Sequence, residues 1–86
     1  MYNFMRFVED IEQGREIEFR YNGRSYSITN TERGWQLTQD DRLLAKEEPD
    51  KSLFLEMLKT EVQLDRKDLK SIFDEHLFEE ESLYIL

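Results

Sequence analysis

Any nucleophilic chemistry in this chain has to start from its single histidine, His76. A serine nucleophile needs a base to take its proton. With no cysteine present, the candidates beside His76 are Ser25, Ser27, Ser52, Ser71 and Ser82. Periodicity places His76 on the apolar side of a helix, which predicts a half-buried histidine near a helix end rather than a base. Glu80 lies four residues on and Glu79 beside it, but a metal needs three or more ligands in fixed geometry. The acidic run DDRLLAKEEPDK lacks the central Gly and alternating Asp/Asn of a calcium loop. Adjacent acids such as Asp40-Asp41, Glu47-Glu48 and Asp74-Glu75 are what twenty Asp and Glu produce by chance. No cofactor, metal or catalytic set is expected, and the reading is that the chain is not an enzyme.

What stands out is charge. The net charge is −8, and it is unevenly spread. Residues 1–34 hold six acids and five Arg, whereas residues 35–86 hold fourteen acids and seven bases. Asp74, Glu75, Glu79, Glu80 and Glu81 fall within eight positions, with no Lys or Arg from Ser71 onward. Direct nucleic-acid binding is disfavoured, because phosphates demand a basic face. A solvated surface that keeps a small protein soluble is one reading of the cluster. A docking surface for a protein with a basic face is the other, with Phe78 and Tyr84 as flanking aromatic anchors.

The elements that must position these residues follow from size and pattern. Eighty-six residues, 38% apolar and 13% aromatic, make one small acidic domain spanning 1–86 with a real core. No apolar run approaches the ~20 residues of a membrane span. The N-terminal MYNFMRFVEDIEQG lacks the basic start and cleavage site of a signal peptide, so a cytoplasmic protein is expected. Phe4, Phe7, Val8 and Ile11 recur at helical spacing ahead of Gly14, which predicts a helix over 2–13.

Asn22-Gly23 predicts a two-residue type I′ turn, pairing Tyr21 with Arg24, Phe19 with Tyr26 and Ile17 with Ile28. Residues 30–34 read as a second turn and WQLTQ as a third strand ended by Asp40-Asp41. Residues 42–45 fit a short fourth strand or a loop under the core, and 46–49 a connection. Asp50 or Ser52 caps a helix carrying Leu53, Phe54, Met57 and Leu58. Asp65 caps another, with Leu69, Ile72, Phe73, His76 and Leu77 as its stripe. The apolar ending SLYIL predicts a docked tail, on the sheet edge or against a partner. The fold class is therefore α+β: an N-terminal helix, a three-stranded antiparallel meander, one or two helices and a short closing strand.

The stretch DIEQGREIEFRYNGRSYSITN, followed by GWQLT, resembles the N-terminal half of small acidic α+β proteins of Gram-positive bacteria and their prophages. There a short helix leads into an IEF-Y-NG-YSI hairpin and a GW strand. That resemblance covers about the first forty residues and implies structure without site residues. In size, charge and element order the chain is also similar to some anti-CRISPR and other phage-encoded defence inhibitors, which present acids to a nuclease. The resemblance implies an accessory protein that blocks a basic partner. A homodimer built on the sheet edge, and an antitoxin or immunity protein, are the alternatives.

Overall fold

The computed structural model describes all 86 residues. Helix α1 (Phe4–Glu12) precedes strands β1 (Ile17–Tyr21), β2 (Arg24–Thr31), β3 (Gly34–Gln39) and β4 (Arg42–Leu43). Then come α2 (Lys51–Thr60), a miniature hairpin β5 (Gln63–Leu64) and β6 (Lys67–Asp68), α3 (Leu69–Asp74) and β7 (Glu79–Ile85). The main sheet is five-stranded, in the order β4-β3-β2-β1-β7.

The β1–β2 register is the one that turn chemistry dictates: Ile17 faces Ile28, Phe19 faces Tyr26 and Tyr21 faces Arg24. Asn22 and Gly23 sit at φ 55° and 78°, as a type I′ turn demands. Asp40-Asp41 and Asp65-Arg66 also carry positive φ at both positions and make two further tight turns. The β2–β3 turn is built differently. β2 runs on to Thr31, and the Thr31 hydroxyl donates to the Gly34 carbonyl and accepts from the Arg33 N–H.

One face of the sheet carries Ile17, Phe19, Tyr21, Tyr26, Ile28, Trp35 and Leu37, all buried, and the three helices cover it. Phe73 is the aromatic hub: its ring packs on Tyr2, Phe7, Phe19 and Phe78. The opposite face has no helix over it. Across it, Leu43, Thr38, Ser27, Glu18 and Tyr84 stand in one cross-strand row.

Several sequence expectations shift. Asp50 caps α2, accepting from the Ser52 and Leu53 N–H groups. That helix buries Phe54, Leu55 and Leu58, whereas Leu53 is exposed. The α3 cap is Asp68 and not Asp65, because Asp65 is spent in the β5–β6 turn. Helix α3 ends at Asp74 in a Schellman motif: the His76 N–H donates to the Phe73 carbonyl and the Leu77 N–H to Ile72. His76 therefore occupies the left-handed position after the helix, at φ 54°, and Leu77 lies outside the apolar stripe. The tail is not a short appendage: it is the seven-residue strand β7, antiparallel to β1.

The two edges of the sheet differ. Along β3, Trp35 exchanges backbone hydrogen bonds with Glu48, the Leu37 carbonyl accepts from Leu44, and Thr38 and Gln39 pair with β4. That edge is closed. β7 has β1 on one side and no strand on the other.

Candidate functional site

The acidic cluster that the sequence places at a helix end lies across the α3–β7 junction and along this open edge. Pairing with β1 brings Glu18 and Arg20 of the hairpin beside it. Ile85 pairs with Ile17 and Tyr84 with Glu18, but Arg20 pairs with Glu79, so β7 bulges between them. Ser82 fills the break. Its Oγ accepts from the Arg20 N–H at 2.8 Å and donates to the Glu79 carbonyl at 2.5 Å. The Arg20 guanidinium donates to Ser25 Oγ and the Gly23 carbonyl, and its Nε lies 3.6 Å from Glu79 Oε2. Glu18, Arg20 and Ser82 thus join the site. Only the pairing of β1 with the chain terminus reveals them, and no local spacing encodes it.

The predicted cluster residues divide into three groups. Asp74 is structural. One carboxylate oxygen accepts from the Phe4 N–H, an orphan donor at the start of α1, while the other accepts from Lys70 Nζ at 2.7 Å. Asn3 meets the Arg6 N–H of the same turn, so α1 is capped from both ends of the chain. Glu79 and Glu80 have neighbours: Arg20 at 3.6 Å for Glu79, and His76 Nδ1 at 3.2 Å for Glu80. Glu75 and Glu81 are exposed, with no cation within ion-pair distance.

The two aromatics also part company. Tyr84 is 59% exposed, beside Glu18 on the uncovered face. Phe78 is a correction: at 4% exposure it packs on Phe19 and Phe73 and belongs to the core. It anchors the start of β7 and is out of reach of a partner.

His76 is half-buried and 6.5 Å from the Phe78 ring, centroid to centroid. Its Nδ1 is buried, without an aligned hydrogen-bond partner. No serine bonds to it, and it lines none of the surface clefts. No group of three or more His, Asp or Glu converges as a metal would need. The exposed carboxylates can attract cations, and the open β7 edge can offer backbone hydrogen bonds. No helix is long and apolar enough to cross a membrane.

Electrostatics ties the site to stability. The Lys70 ammonium, then the Phe4 N–H, hold the Asp74 carboxyl below its ordinary 3.8. Asp68 is lowered by its bonds to Ser71, and Asp40 by the Ser25 N–H and then Arg24. A depressed folded pKa adds stability that is whole above the unfolded value and lost as pH falls through the folded one. Lys70, raised above 10.5 by Asp74, adds stability that is whole below that pH and fades as pH rises. We therefore expect a stability plateau that drops below about pH 4. Asp74→Ala should lose about 1 kcal/mol on the plateau through its broken cap and show a shallower acid limb. Urea titrations followed by Trp35 fluorescence at pH 3 and pH 7 measure both.

No family model, curated protein or solved structure matches the chain.

Proposed function

We propose that this protein is a non-catalytic cytoplasmic binding module that offers its acidic β7 edge to a basic protein. The observation that carries the reading is that Glu81 is exposed without a counter-charge on the β7 edge, which has no strand on its outer side, and Glu75 is likewise exposed and unpaired at the end of α3. Glu18 extends the same negative strip on the uncovered face, and Arg20 is the cation set against it. Such a strip steers a cationic surface and excludes nucleic acid. An accessory inhibitor from a phage or other mobile element, whose carboxylates stand in for phosphates, fits this surface. An antitoxin or immunity protein would use it the same way.

The test neutralises Glu75, Glu79, Glu80 and Glu81 to Gln and spares Asp74, because Asp74 caps α1. Immobilised wild type should capture a partner from host lysate at low ionic strength and release it at ~0.5 M salt, where screening is strong. The neutral variant, matched in melting temperature, should capture little of it. Undiminished capture would contradict the reading.

Self-association is favoured by a separate observation: Tyr84 and Leu86, both 59% exposed, lie on and just beyond the same open edge. Deleting residues 82–86 cannot test it, because they form most of the edge strand β7 itself, which pairs with β1. The solution mass of the intact chain can, and a monomer rules it out.

A further inference from the structure

Resting on the basic-partner reading, the geometry points to how that partner docks: we propose that an extended segment of it adds to β7 as a sixth strand. Strand addition needs an open edge, free backbone groups and side-chain complementarity. The β3 side is closed by β4, Leu44 and Glu48, which leaves β7 as the long unpaired strand. On β7, the Leu86 N–H donates inward to the Glu16 carbonyl. Backbone direction alternates along a strand, so Leu83 and Ile85 direct their N–H and C=O groups outward. Their side chains are only partly buried against the core and form an apolar ledge at the sheet border. Tyr84 lies on the opposite face, and the Glu79–Glu81 run occupies the first half of the strand.

This combination selects the occupant. Charged residues on an edge repel indiscriminate pairing. Here the guard is all of one sign and covers half of the strand, so a segment with Lys or Arg opposite the glutamates is attracted. Apolar residues in alternate positions of that segment would meet Leu83 and Ile85. A second copy of this chain fits worse: it brings its own −8 and its own glutamates to the seam.

The probe is a short labelled peptide of alternating lysine and valine, with a second version N-methylated on every backbone nitrogen, so that neither edge can donate. The first should bind in a salt-sensitive manner and protect the Leu83 and Ile85 amides from hydrogen exchange. The N-methylated peptide keeps its charge and loses its donors, and should bind at least about tenfold more weakly. Equal binding of the two peptides overturns the strand ladder while leaving the acidic-surface reading intact. Lysate capture that depends on the glutamates, with neither peptide bound, does the same. Leu83 and Ile85 amides already protected in the free chain, with a solution mass of two chains, would assign the edge to a second copy and overturn the proposal.

Discussion

Phe73→Ala should destabilise the fold by about 4 kcal/mol, the middle of the range for truncating a buried aromatic. Phe73 is fully buried and its ring meets four others, from Tyr2 and Phe7 at the N-terminus, Phe19 in β1 and Phe78 before β7. Its loss removes transfer energy and leaves a cavity. It also breaks aromatic pairs worth ~0.5–1.5 kcal/mol each beyond area. A domain of this size holds roughly 5–15 kcal/mol in total, so the variant should be close to its folding threshold. The damage should spread unevenly. Phe73 joins α3 to β1, and Phe78 hangs β7 from the same cluster, so amide protection in β7 should fall further than in the β2–β3 pair. Phe73→Leu, which refills much of the volume, should recover a large part of the loss. Urea unfolding measures the first effect and hydrogen exchange the second.

Gly34→Ala is the second large loss. A Cβ here would stand 2.7 Å from the Glu48 carbonyl carbon and oxygen and from the Pro49 nitrogen. Those are backbone atoms and cannot swing aside. The residue also sits at φ +122°, a region that side chains avoid. Clash and strain together should cost on the order of 2–4 kcal/mol. For a domain this short that is a fall in melting temperature of roughly 10–25 °C. Gly14→Ala is the control: its φ is +84°, but no atom lies within 4 Å, so only the conformational cost of about 1 kcal/mol remains. A similar loss in both variants would mean that the Glu48 strap is not seated as described. The strap bears on the proposed function because its bond to Trp35 helps to close one sheet edge and leaves β7 as the other.

How much of this was legible in the sequence depends on how local the cause is. The hairpin was readable to the residue because an Asn-Gly turn and strict alternation both fix its register. Trp35 and Leu37 point inward for the same reason. The β5–β6 turn was hidden, since Arg66 at φ 70° is no usual turn residue, and Asp65 passed for a helix cap. β7 was readable only at its apolar end. Three consecutive glutamates favour no strand, and the strand forms there because β1 supplies the ladder and Ser82 bridges the break. Phe78 passed for an exposed anchor because only the packing of α3 on β1 encloses it. The charge asymmetry was plain from the residues alone. Its placement on a strand edge, with Asp74 withdrawn to cap α1, follows from tertiary contacts that no spacing encodes.

Residue-resolved hydrogen exchange on the free chain tests most directly whether this edge is open and available. The Tyr84 and Leu86 amides, turned toward β1, should be protected. Those of Leu83 and Ile85 should exchange nearly as fast as in an unfolded chain, while sedimentation reports a monomer. Equal protection of all four amides would mean that the acidic edge is already occupied, and no basic partner could then add to it.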